Sequence, residues 1–194
     1  MSEVLRSYID TYASTTLTDA EFEIVLKAFT FKRLRRKQYL LQEGDVCKFY
    51  GFILKGAMRQ YSVDVKGTEY VINLGLEESW VGDRESFFML TASRYNIDAW
   101  EDTDLLLITN EDFQRLLETV PAVVTMVRII DQRYHIATQR RLHSSIAYTA
   151  RERYEELVNT EPELIQRFPQ QMIASYLGIS PETLSRIRRQ SIER

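Results

Sequence analysis

The sequence predicts an α+β protein: a β-roll, then a long helix, then a small all-helical unit. Three observations predict it. Six of the seven glycines (Gly44, Gly51, Gly56, Gly67, Gly75, Gly82) lie between residues 44 and 82. All four prolines (Pro121, Pro162, Pro169, Pro181) follow residue 120. A four–three apolar spacing begins near Pro121. Glycines among short β-rich runs mark tight turns between strands, whereas prolines ahead of periodic apolar segments mark first helical turns.

The elements follow in order. Thr18-Asp19-Ala20-Glu21, with Phe22, Val25, Leu26 and Phe29 behind it, reads as a short capped helix over 18–29. From Phe31 to Ile108 short β segments alternate with turns. Phe49–Leu54 and Met58–Val63 are strands, and Asp64-Val65-Lys66-Gly67 turns the second back into Glu69–Ile72. Tyr95–Trp100 and Leu105–Ile108 close the roll. Pro121 opens a helix reaching about Ser144. On it Val123, Val127, Ile130, Tyr134, Ala137, Arg141 and Ser144 form a coiled-coil seam, which predicts self-pairing into a homodimer. A joint is expected near Ser144–Tyr148.

Composition narrows the chemistry. The chain has 194 residues, 44% apolar and 27% charged, with a net charge of −3. The single cysteine, Cys47, excludes an internal disulfide and, within one chain, an all-cysteine zinc site or a four-cysteine cluster. A reduced, cytoplasmic setting is expected. Met1–Thr18 carries no apolar run suited to a signal peptide, and no stretch approaches the roughly 18 uninterrupted apolar residues of a membrane span. The two histidines, His135 and His143, lie on the long helix, so no metal site is expected. No nucleophile–base pair or phosphate-cradling glycine loop stands out, and catalysis is not expected.

The sharpest motif runs from Gln170 to Ile187. Ile173, Leu177, Ile179, Leu184 and Ile187 are apolar, Ala174 is small where two helices cross, and Gly178 suits a left-handed turn. Ser180 can cap a second helix with Pro181 in its first position. This is the pattern of a helix-turn-helix. Steps of roughly 100° turn Leu184 and Ile187 inward and Glu182, Arg186, Arg189 and Glu193 outward. In the major groove Arg186 can form a bidentate contact to guanine and Glu182 can accept from cytosine. Thr183 and Ser185 flank that face, Arg188 and Arg189 can neutralise phosphates, and backbone amides near Gln170 and Gln171 can reach phosphate. The charge is divided accordingly. Residues 1–127 hold 14 basic and 20 acidic residues, and residues 128–194 hold 11 and 8.

Taken together the chain resembles the CRP/FNR family of bacterial transcription regulators over nearly its whole length. The carriers are Leu41–Asp45, Phe52–Gly56, Arg59–Tyr61, Asp64–Glu69, Trp80–Asp83, Ala99–Asp102 and the helix-turn-helix. The resemblance implies a cyclic-nucleotide-binding-like β-roll (residues 1–120), a dimerisation helix (121–145) and a helix-turn-helix DNA-binding domain (146–194). It implies double-stranded DNA, a second copy of the chain and RNA polymerase as partners.

Two departures qualify it. Cyclic-nucleotide-binding members carry a Gly-Glu pair for the ribose and an Arg-Ser/Thr-Ala tripeptide for the cyclic phosphate. Here the pair reads Gly82-Asp83, and the tripeptide position reads Ser93-Arg94-Tyr95, with the arginine one place off. If the roll keeps an effector pocket, these five residues line it. Its ligand is an unidentified small molecule rather than cyclic AMP, and no cofactor is expected. Second, only seven residues follow Ile187, fewer than the family's β-hairpin wing needs. The alternative reading is a ligand-binding or protein-interaction module that no longer reads DNA.

Overall fold

The computed structural model describes residues 2–13 and 16–192. Two helices, α1 (Ser2–Ala13) and α2 (Asp19–Ala28), lead into the strands. These are β1 (Phe29–Leu34), β2 (Tyr39–Leu41), β3 (Phe49–Lys55), β4 (Met58–Val63), β5 (Glu69–Gly75), β6 (Trp80–Val81), β7 (Asn96–Ala99) and β8 (Thr103–Thr109), with α3 (Arg84–Met89) between β6 and β7. The helices α4 (Asn110–Thr119), α5 (Pro121–Ala147), α6 (Ala150–Thr160), α7 (Pro162–Arg167), α8 (Gln170–Tyr176) and α9 (Pro181–Ile192) follow. The predicted α+β order is observed.

The strands form two antiparallel sheets, β1-β8-β3-β6 and β2-β7-β4-β5. Side chains alternate across a strand, which explains why Leu105-Leu106-Leu107-Ile108 is buried throughout. Leu105 and Leu107 join Ile53, Met58, Ile97 and Ala99 inside the roll, and Leu106 and Ile108 join Phe52 beneath α1, α4 and α5. Thr18 caps α2 as expected: its hydroxyl accepts from the Glu21 N–H while the Glu21 carboxylate accepts from the Thr18 N–H.

The first helix went unread in the sequence. Leu5, Tyr8 and Ile9 of α1 pack in one core with Val123 and Met126 of α5, and the Arg133 guanidinium lies 4.8 Å above the Tyr12 ring. The upper half of the expected dimer seam is therefore occupied within its own chain. Val123 is buried, and Val127 and Ile130 pack on the same core.

The C-terminal helices dock on the second sheet. Ala57, Val71 and Leu74 of the roll share a core with Tyr154, Leu157, Leu164, Phe168, Ile173, Ala174, Leu184 and Ile187. Polar contacts frame that core. Arg167 forms ion pairs with Glu77 (2.5 Å) and Glu101 (2.6 Å), and Trp100 Nε1 donates to the Arg167 carbonyl. On the β5 edge, Ser175 Oγ accepts from Val71 N–H at 2.9 Å, and Arg141 donates to the Ile72 and Tyr176 carbonyls.

Burial works against ionisation of Glu77, but hydrogen bonds from Arg167 and the Gly56 N–H outweigh it and hold its carboxyl below the ordinary glutamate value. A depressed carboxyl stabilises the folded state above the unfolded-state value, about 4.3, and this contribution is lost as pH falls through the folded value. The Arg167 side chain is 25% exposed and its partners more, so solvent screens the pairs. Arg167→Ala is expected to cost about 1 kcal/mol near neutral pH. Thermal melting should show this difference narrowing below about pH 4.3. A difference independent of pH contradicts the ionic account.

Candidate nucleic-acid interface

The segment from Gln170 to Ile192 is built locally as a helix-turn-helix. The Ile179 N–H bonds the Ala174 carbonyl and the Gly178 N–H bonds the Ser175 carbonyl, closing α8 through a turn in which Gly178 has φ +65°. A residue with a Cβ is disfavoured in that left-handed conformation. Ser180 Oγ accepts from the Thr183 N–H at 3.2 Å, and Pro181 occupies the first position of α9. Ala174 is fully buried at the crossing, with Ile173, Leu184 and Ile187 around it. Arg153 of α6 braces the turn by donating to the Leu177 carbonyl at 2.9 Å.

The outer face of α9 is open. Glu182, Arg186 and Arg189 are exposed, and Thr183, Ser185 and Arg188 are half-buried beside them. The Arg186 and Arg189 guanidinium groups touch Thr183 Oγ1 and Ser185 Oγ, both at 3.4 Å, long for hydrogen bonds. Neither pairs with a carboxylate among the described residues. The Glu182 carboxyl is held below its ordinary value by its own backbone N–H, then Ser180, with Arg186 nearby, so it is a charged acceptor at neutral pH. Gln170 and Gln171 are exposed at the start of α8. Glu193 lies outside the described residues.

Residues 31–120 match the cyclic nucleotide-binding domain family. The same architecture recurs in solved structures. The c-di-GMP-responsive global regulator CLP of Xanthomonas campestris is 17% identical, with 91% of this chain and 92% of that one covered and a TM-score of 0.71. A CRP/FNR-family regulator of Eubacterium rectale is 16% identical over 91% and 85% of the two chains, with a TM-score of 0.63. The chain has the CRP/FNR fold. The catabolite activator protein of Thermus thermophilus is also similar, at 20% identity over 93% and 86% with a TM-score of 0.58. No curated protein matches the sequence.

Within the CRP/FNR fold, the residues expected around an effector are spent on local structure. Asp83 is buried and caps α3: Oδ1 accepts from the Glu85 and Ser86 N–H groups, and Oδ2 from Ser93 Oγ at 2.7 Å. Ser93 Oγ also accepts from the Tyr95 N–H. Gly82 is small because Tyr50 stands against it; a Cβ there would meet that ring at 2.3 Å. Arg94 is 79% exposed, 3.9 Å from Glu85, and Tyr95 is half-buried. Gly82, Asp83 and Ser93 come together, but Arg94 does not join them. A carboxylate capping a helix and an arginine in solvent do not fit a cyclic phosphate and its ribose.

The lower half of α5 carries the other expected residues. Tyr134, Ala137 and Arg141 are exposed, as are Ile136, Leu142 and Ile146. Tyr134 lies 5.1 Å beneath the Arg84 guanidinium, which pairs with Asp131. Arg141, read from spacing as a seam residue, stacks on Tyr176 and ties α5 to β5 and α8 within its own chain. Arg167 also joins the C-terminal helices to the roll, but no local motif marks it, because Glu77 and Glu101 are remote in sequence.

Calorimetric titration with cyclic AMP is expected to give no tight isotherm. A micromolar isotherm would contradict the assignment of Asp83 and Ser93 to helix capping.

Proposed function

We propose that this chain is a sequence-specific DNA-binding transcription regulator of CRP/FNR type that does not respond to cyclic AMP through the usual pocket. The observation that carries the reading is the outer face of α9, where, among the described residues, an ionised carboxylate and two guanidinium groups without carboxylate partners stand beside a capped turn. Entering the major groove, Arg186 supplies two parallel donors to guanine and Glu182 accepts from a cytosine amino group. Thr183 and Ser185 reach neighbouring bases or phosphates, and Ser180 contributes through the cap that aims α9. Arg188 and Arg189 neutralise phosphates, and backbone amides near Gln170 and Gln171 reach phosphate at the edge of the site.

In this reading residues 1–120 are the roll, 121–145 the dimerisation helix and 146–194 the DNA-binding unit. The second copy meets the lower half of α5, where Tyr134, Ala137, Ile136, Leu142 and Ile146 are exposed. Two copies present two α9 helices to half-sites about one helical turn apart. RNA polymerase is the natural further partner of such a regulator on DNA.

Arg186→Ala is expected to lose about 1–3 kcal/mol of discrimination at one base pair per half-site, the usual worth of a bidentate contact. Its weak binding to random duplex and its fold should be retained, because the side chain is exposed. Gel-shift titrations on matched and mismatched duplexes measure this. Unchanged discrimination contradicts the role.

A further inference from the structure

The chain reaches the DNA-reading unit by one covalent route, the lower half of α5. From Asp131 to Ala147 every residue of that stretch is exposed except Ser144. Tyr148 then ends the helix with extended backbone (φ −95°, ψ 145°), and Thr149 caps α6. A single extended residue between two helices can absorb a change of φ and ψ, as a hinge does. A unit attached there alone would swing relative to the roll.

A second attachment lies where α7 meets α8. Trp100, just after β7, touches this corner with its ring and with its N–H. The ring stacks on Phe168 with centroids 6.4 Å apart, and Nε1 donates to the Arg167 carbonyl at 3.2 Å. The Arg36 guanidinium lies 4.6 Å over the same ring. Arg167 in turn reaches two carboxylates of the roll, Glu77 and Glu101.

Both sides of this attachment are held. The Trp100 and Glu101 N–H groups bond the Ala57 carbonyl, and the buried Thr103 hydroxyl donates to the same oxygen. The Gly56 N–H donates to Glu77. Gly56 has φ +102°, and a Cβ there would stand 2.6 Å from the Asp102 carbonyl oxygen, so the two turns of the roll meet backbone to backbone. On the side of the helices, Phe168 is buried in one core with Ile173 and Ala174 of α8 and Leu184 and Ile187 of α9. Packed side chains therefore connect Trp100 to the reading helix.

Half-site spacing is the property that such an attachment governs. One base pair more between half-sites moves the second by about 3.4 Å along the duplex and turns it by about 35°. A preorganised site tolerates about 0.5 Å and 10–20°. Two α9 helices fixed to their rolls cannot follow that change, whereas two that pivot at Tyr148 can.

We propose that Trp100 and Arg167 are positioning residues: they fix the DNA-reading unit to the roll at a second point and so determine which half-site spacing the paired chains accept. The proposal rests on the reading of α9 as the DNA-reading helix of a symmetric pair. Neither residue touches DNA in it. They act through Phe168 and the core behind α8.

The test measures affinity of the full chain for duplexes carrying the half-sites recovered by selection from random DNA. The half-sites are placed at the selected spacing, one base pair closer and one base pair farther. Wild type is expected to bind the altered spacings about 10²-fold more weakly, the usual cost of losing simultaneous engagement. Trp100→Leu removes the stack and the donor, and Arg167→Gln removes the ion pairs. Each is expected to reduce that ratio to about tenfold or less, by weakening binding at the selected spacing. Each should bind a duplex with one half-site as wild type does. Arg167 is partly exposed, so Arg167→Gln carries the test where Trp100→Leu does not fold. Val25→Ala opens a cavity in the core shared by α1, α2 and α5. It is expected to lower the melting temperature and keep the wild-type ratio.

A wild-type ratio in either positioning variant overturns the proposal. An equal loss in Val25→Ala also overturns it, since general loosening then explains the effect. A wild type that prefers its half-site sequence but binds all three spacings alike overturns the proposal and leaves the reading of α9 standing. A wild type that binds the half-site no better than a scrambled duplex overturns both.

Discussion

The position of the helix-turn-helix depends on the exposed edge of one strand. β5 ends its sheet, so its outer N–H and C=O groups need partners from outside. α8 and α5 supply them: Ser175 accepts from Val71, and Arg141 donates to the Ile72 carbonyl. Behind these bonds Val71 and Leu74 enter the core of the C-terminal helices. Each fully buried leucine- or isoleucine-sized side chain there contributes about 1.5–3 kcal/mol, far more than the screened pairs of Arg167. Burial therefore holds the unit on the roll, and the polar contacts set its register. The outer face of α9 is aimed by a continuous core, and a face held by packed neighbours is less mobile than one on a loop.

The strands that build a cyclic-nucleotide-type domain are all present, yet the Gly82–Tyr95 segment is closed on itself by Asp83, Ser93 and the Tyr50 ring. Architecture alone would assign a nucleotide pocket; the side chains there are helix caps and packing groups.

Much of this was legible in the sequence wherever the determining contacts are short-range. Gly178, Ser180 and Pro181 define their turn within a few residues, and the Thr18–Glu21 capping box does the same. The positions of β3, β4, β5, β7 and β8 and the inward face of α9 follow from turn spacing and simple periodicity. What escaped depends on chain segments meeting across the fold. The Val123–Ile130 seam was a sound apolar stripe, but spacing cannot say which surface covers it, and α1 of the same chain does. The bonds by which Arg141 joins α5 to β5 and α8 are likewise not encoded in the spacing along α5. Arg167 pairs with Glu77, 90 residues away, which no local pattern encodes.

The account stands on α9 reading base sequence as part of a symmetric pair. The most direct measurement is a selection of bound sequences from random double-stranded DNA by the full chain. It should enrich a palindromic site whose half-sites are centred about one helical turn, some 10 base pairs, apart. Recovery of no common sequence, or of a single half-site without symmetry, would contradict it.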